Sequence, residues 1–308
     1  MDNSTLYQSQ LLSGLAQRFY NRGFIAPRIF KQVSVSQMLG QYHTWDSGVV
    51  YRLQNTAYGQ DGSANSIDLK ASKTSFTLEA HAIKAYIDEL EINQAPEMQI
   101  RAAKTRAIVN SLQLRLEKAM ADQVFSSSTI TNGTTLSGTG QWSHEDSNPK
   151  SAIQAAQNGK PVKMNCLLVG KQVDDQLKLH PLVLEAVKYT QGGVDVTNQT
   201  IARYLGVDDY IVGESFIDSA AEGQTASLGF IWGKKALLFH RAPGPSSPLM
   251  DDVSLGYLPT LGGGIKMFTG RNAERGTGAG VEIIKGELFY KPLITSVACG
   301  YLFTDAVA

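Results

Sequence analysis

The sequence predicts an α+β protein in which one long helix separates an extended N-terminal region from a compact mixed unit and a strand-rich tail. Three observations carry that expectation. After Pro96, residues 97 to 125 run without glycine or proline. Around residues 76 to 82 apolar and polar positions alternate, and from 149 to about 255 short apolar runs alternate with helical patterns.

The first 30 residues are polar and mixed, and "IFKQVSVSQMLGQYHTWDS" alternates only briefly, at Val33 and Val35, with a break expected at Gly40. This reads as an arm. From Trp45 to about Ile87 two extended segments flank the turn "QDGSANS", where Asp61-Gly62 supplies turn chemistry. In the return segment Phe76, Leu78, Ala80 and Ala82 are expected on the buried face and Thr77, Glu79 and His81 on the other. A two-stranded ribbon of this length is marginal in isolation, so it is expected to lie against something else.

The helix over 96–125 is expected to span about 30 residues, or roughly 45 Å at 1.5 Å per residue. Asn93 is a possible cap, and Pro96 fits a first turn, where its missing N–H costs nothing. Met98, Ala102, Val109, Leu112, Leu116 and Met120 fall in one stripe, while Arg101, Lys104, Arg115 and Lys118 form a second. Two readings of the basic stripe stand side by side. Glu97 and Asp122, four residues from Arg101 and Lys118, fit a salt-bridged solvated face; contact with a polyanion is the other.

Beyond the loop "SSSTITNGTTLSGTGQ", "AIQAAQ" reads as a short helix and "NCLLVG" as a buried strand. "KQVDDQLKLHPLVLEAV" reads as a helix interrupted near Pro181, and "NQTIARYLGV" as another helix. "YIVGES", "LGFIWG" and "KALLFHR" read as strands. Glycines and strands return from Leu255, and this tail is expected to close a sheet beside the long helix.

At 308 residues with 43% apolar content the chain can fill real cores. Lys+Arg and Asp+Glu balance at 28 each, so total charge draws it to neither nucleic acid nor anionic lipid. Cys166 and Cys299 stand in apolar surroundings without metal-ligand spacing and read as buried thiols of a reducing compartment. The N-terminus lacks a basic leader with an apolar core, and no stretch reaches the roughly 18 apolar residues needed to cross a bilayer, so a soluble protein without membrane contact is expected.

Residues His144, Glu145 and Asp146 raise the question of a metal-dependent hydrolase. A zincin helix needs a second histidine four residues on, and here Asn148-Pro149 follows, which reads as a helix cap and first turn. Trp142 with Asn148 and Pro149 is then an anchored loop feeding a helix that ends before Gly159. "LGGGIKMFTG" lacks the phosphate-loop spacing and reads as a turn between strands. No constellation points to catalysis, a metal or a cofactor.

The order of elements is that of a shell subunit. "IDELEINQAPEMQ" leading into the long helix, "LSGTGQWSHEDSNPKSAIQAA", "CLLVGKQVDDQLKLHPLVLEAVKYT", "IARYLGVDDYIVGES" and "IWGKKALLFHRAP" resemble the major capsid proteins of tailed bacteriophages, whose Hong Kong 97-type fold is shared with encapsulins. His180-Pro181 and Lys188-Tyr189 belong to that resemblance. It covers about residues 88 to 243, and arm, hairpin and tail match in layout only.

The resemblance implies regions and roles. Residues 1–33 would be the N-terminal arm and 34–82 the extended loop with its flanking strands. Residues 83–159 would form the peripheral domain with spine helix 96–125, 160–255 the axial domain, and 256–308 a tail returning to the peripheral domain. Tyr58, Gly59, Asp61 and Gly62 would make inter-subunit contacts. Their turn has few apolar anchors, so its burial is expected from an adjoining subunit. Arg101, Lys104, Arg115 and Lys118 would face packaged double-stranded DNA without sequence specificity, and Trp142, Asn148 and Pro149 would brace the linker to the axial domain. Hexamers and pentamers in a virion shell, assembled in the host cytoplasm with portal, scaffolding and decoration proteins as partners, complete the implied picture. No long segment precedes the arm, so a separate scaffolding protein is expected. An encapsulin-type compartment is the alternative within the same fold, and a metal-dependent hydrolase the alternative outside it.

Overall fold

The computed structural model describes residues 6–8, 23–45, 53, 56, 71–88, 97–188, 196–221, 223–244, 250, 252–276 and 280–308. Two sheets organise these residues around one helix. The first is seven-stranded. Its central path joins β1 (Leu6–Gln8), β13 (Lys266–Asn272), β14 (Val281–Tyr290), β12 (Gly256–Leu261) and β15 (Leu293–Ile294). β2 (Lys31–Val35) pairs parallel with β12, and β5 (Glu79–Ile87) pairs antiparallel with β14 along nine residues.

The second sheet has the order β6 (Gly133–Thr135), β16 (Gly300–Thr304), β11 (Ala236–Phe239), β7 (Cys166–Gly170) and β8 (Asp209–Gly213). β7 is buried at every position. Strand alternation explains why: Cys166 and Leu168 enter the core around the long helix, while Leu167 and Val169 enter a second core on the opposite face. That second face is covered by α3 (Pro149–Gln157), α4 (Lys171–Leu179), α5 (Pro181–Lys188) and α6 (Asn198–Leu205).

The long helix, α2, spans Glu97–Val124, within a residue of the expected bounds. Val109, Leu112, Leu116 and Met120 are buried as the stripe requires, but Thr105, Ile108, Glu117, Ala121 and Val124 are buried too. The buried arc is wider than an amphipathic pattern predicts because α2 lies on the seven-stranded sheet while its C-terminal half also meets the five-stranded one. Among the described residues, no helix is long and apolar enough to cross a membrane.

Two expectations are corrected and a third is extended. Gly40 does not break the chain; it lies inside β3 (Leu39–Trp45), which pairs with β4 (Ala71–Thr77). It is glycine because Phe76 sits across it: a β-carbon at Gly40 would stand 2.4 Å from Phe76 Cζ. The alternation of the return segment also ends early. Phe76 and Leu78 are buried, but Ala80 and Ala82 are exposed and His81, Ala85 and Ile87 turn inward. The phase shifts at Leu78, whose N–H donates to Met38 O (2.8 Å) as the chain leaves β3 and joins β14. Finally, the tail serves both sheets. β12, β13 and β14 close the seven-stranded sheet beside the long helix as expected, whereas β16 crosses to the second sheet and pairs with β11 and β6, its Leu302 still in the core around α2.

Candidate assembly surfaces and the packing that fixes them

The N-terminal ribbon is built differently from either sheet. β3 and β4 pair from Leu39↔Thr77 to Trp45↔Ala71 and join no third described strand. Ser72, Lys73, Thr74 and Ser75 are all exposed, as are Met38 and Leu39, the latter at 63%. Among the described residues, Tyr42, Phe76 and Leu78 root it, in a small core with Val33, Met250, Tyr257 and Leu293. Alternating burial normally gives a strand one protected face; most of β4 has none. The expected inter-subunit residues Tyr58, Gly59, Asp61 and Gly62 lie outside the described residues, as do Asn93, Pro96 and Tyr189.

The basic stripe of α2 is only partly a solvated face. Arg101 grips Glu282 of β14 with two nitrogens, Nε at 2.9 Å and Nη2 at 2.6 Å from Oε2. Lys104 donates to Tyr86 O at 2.6 Å. Both cations therefore tie α2 to the seven-stranded sheet. Lys118 pairs with Asp122 one turn on, as the spacing requires, and Arg115 is exposed.

Trp142, Asn148 and Pro149 are held by packing and capping. Trp142 is 1% exposed, its backbone N–H donates to Ala306 O (2.7 Å), and its ring lies 5.2 Å from that of Phe303. Asn148 caps α3 by accepting from Ser151 N at 2.9 Å, with Pro149 in the first turn. Between them His144 turns back on its own loop, its Nδ1 accepting from Asp146 N at 3.2 Å. Glu145 and Asp146 are exposed. Among the described residues, no three His, Cys, Asp or Glu side chains are grouped to hold a metal ion.

His180, at the junction of α4 and α5, is 3% exposed. Its Nδ1 accepts from Leu182 N (3.2 Å), and its Nε2 lies 3.0 Å from Ser147 Oγ. Burial pushes its pKa below the ordinary histidine value. The same unit holds Asp174, fully buried, with Lys178 Nζ at 2.7 Å and Lys171 Nζ at 3.4 Å on one oxygen and Tyr210 Oη donating to the other at 3.1 Å. Burial, then the neighbouring carboxylate, raises the Tyr210 phenol well above its ordinary value.

Sequence reasoning missed Glu117. It too is 0% exposed. Its carboxylate accepts from Ile25 N (3.0 Å), Ala26 N (2.8 Å), Ser215 Oγ (3.0 Å) and Trp232 Nε1 (2.8 Å). A signal was present in the sequence. The helix neighbours of Glu117 three, four and seven residues on are Met120, Ala121 and Val124, so a charged residue stands inside an apolar arc.

No family model matches the sequence. Two curated phage proteins do. The major capsid protein of Pseudomonas phage JBD67 is 25% identical over all of both chains, and that of Burkholderia phage BcepMu is 23% identical over 96% of this chain and 95% of its own. Among solved structures, a phage-related protein from Bordetella bronchiseptica RB50 superposes with TM-score 0.75 at 19% identity, covering 98% of each chain. The capsid protein of cyanophage P-SCSP1u superposes with TM-score 0.56 at 11% identity, over 90% of this chain and 86% of its own. The chain is thus similar from end to end to the major capsid proteins of two phages, and its ribbon, spine helix and two sheets have the Hong Kong 97-type fold.

Proposed function

We propose that this chain assembles as hexamers and pentamers into an icosahedral head that encloses double-stranded DNA. The observation that carries the reading is the β3–β4 ribbon, which leaves Ser72 to Ser75 and Leu39 exposed and joins no third described strand. A ribbon this poorly buried gains stability from a surface outside the subunit, and a closed symmetric shell supplies that surface at every equivalent position. Residues 1–33 and 34–82 then lie across neighbours, with Tyr58, Gly59, Asp61 and Gly62 at the contact. The unit 160–255 surrounds the symmetry axes, and portal and scaffolding proteins act on the same shell.

In this reading α2 faces the packaged genome. Arg115 and Lys118 are the members of the basic stripe best placed to meet phosphates, since Arg101 and Lys104 are committed to Glu282 and Tyr86. Phosphate contact of this kind is independent of sequence and weakens with salt.

Negative-stain microscopy of the purified full chain tests the proposal. Closed isometric particles are expected, and particles from infected cells should protect DNA from nuclease. Rings, tubes or monomers at high protein concentration overturn it, and particles filled with enzyme instead of DNA favour the compartment reading.

A further inference from the structure

Glu117 sits where three segments distant in sequence meet. α1 (Ala26–Ile29) opens without a side-chain cap of its own, because Ile25 stands at its N-cap. The carboxylate of Glu117, on α2, receives the N–H groups of Ile25 and Ala26 in its place. From the other side Trp232 Nε1 and Ser215 Oγ donate to Oε1, and Trp232 Nε1 is also 3.0 Å from Ser215 Oγ. Ser215 follows β8, and Trp232 precedes β11, so both belong to the five-stranded sheet's approach to α2.

We propose that Glu117 is a conformational latch: it makes docking of the N-terminal segment 24–30 and closure of the Ser215–Trp232 junction onto α2 one coupled event. The physical reason is that a carboxylate removed from water is costly unless its lone pairs are filled. All four donors here are neutral, so none compensates the charge alone. Loss of the Ser215 or Trp232 donor leaves the carboxylate under-solvated and favours its exposure to water, which requires Ile25 and Ala26 to let go. Undocking the segment has the same effect in reverse.

The latch therefore fixes the course of residues 24–30. Ile25, Ala26, Ile29 and Phe30 are buried in the main core beside it. Released, this segment gives up the contacts of Arg28 with Arg241 and Asp209, whereas the backbone pairing of β7, β11 and β16 involves none of residues 24–30. The inference stands independently of the shell reading, since it concerns one chain.

Hydrogen exchange on the full-length chain tests it, with S215A and E117Q as variants. The hydrogen bonds of the Ser215 hydroxyl go to Glu117 and Trp232, so it is linked to residues 24–30 by way of Glu117. S215A should nonetheless speed exchange of the amides of residues 25 to 29 by about tenfold, the worth of one hydrogen bond to a charged group. E117Q, which keeps the shape and halves the acceptors, should speed exchange both there and around Ser215 and Trp232 by more. In both, exchange in Ala236–Phe239 should match wild type. Unchanged exchange at 25 to 29 in S215A overturns the coupling, as does acceleration spread equally over Ala236–Phe239. If E117Q does not fold, S215A decides alone.

Discussion

Gly286 of β14 lies directly beneath Ile108 of the spine helix: a β-carbon at Gly286 would stand 2.4 Å from Ile108 Cγ2 and 3.1 Å from Leu112 Cδ1. The closest approach of helix to sheet is set by the absence of a side chain. G286A should destabilise the subunit by about 1–3 kcal/mol through overpacking. I108A removes Cγ2 from that contact, so G286A should cost less in the I108A background than in the wild type. Urea unfolding of the four proteins checks this, and strict additivity would count against the contact.

Asp174 should be costly to lose. With Lys178, Lys171 and Tyr210 converging on one fully buried carboxylate, D174A strands two cations and a phenol, and a loss of about 3–5 kcal/mol is expected. K178M should cost much less, because Lys171 still reaches the carboxylate. Thermal unfolding of both variants separates the two; equal losses would show that the pair acts as a surface bridge.

The pH dependence of stability carries a signature of Glu117. Burial raises its pKa, opposed by the donors from Ile25, Ala26, Trp232 and Ser215. Between the unfolded and folded values the folded chain holds a proton that the unfolded chain has released. The stabilisation from this group is therefore fully present below the unfolded pKa and is lost as pH rises through the folded one. E117Q lacks that term. The stability of wild type relative to E117Q, from urea midpoints at about pH 4 and about pH 8, should be greater at the lower pH. The opposite trend would mean that the donors outweigh burial.

Both cysteines should be silent in the native protein. Cys166 is 1% exposed and burial pushes its thiol up to about 11; Cys299 is 2% exposed and raised in the same way. Maleimide at neutral pH should label neither until the chain is denatured, because the thiolate is the reactive species. Rapid native labelling at Cys166 would place β7 at the surface.

Charge on the spine helix should divide by partner. R101Q removes the two-nitrogen grip on Glu282 and should lower subunit stability. Replacing Arg115 and Lys118 with glutamine should leave stability nearly unchanged and flatten the salt dependence of DNA retention. Filter binding of DNA across a salt series, beside unfolding curves, distinguishes the two effects.

The long helix, the buried strand at Cys166–Gly170, the Asn148–Pro149 cap and the His180–Pro181 break were legible in the sequence, because each follows from local period, capping or proline chemistry. Those rules act over a few residues, and so they reach as far as the elements. They could not show that Gly40 faces Phe76 inside a ribbon, that β16 crosses to the second sheet, or that Arg101 reaches Glu282 of β14. Each of those depends on a partner more than 30 residues distant, where spacing along the chain carries no information. Glu117 marks the boundary most clearly. Its place in an apolar arc was readable, and its purpose was not, because the four groups that make a buried carboxylate tolerable come from residues 25, 26, 215 and 232, which only the tertiary structure brings together.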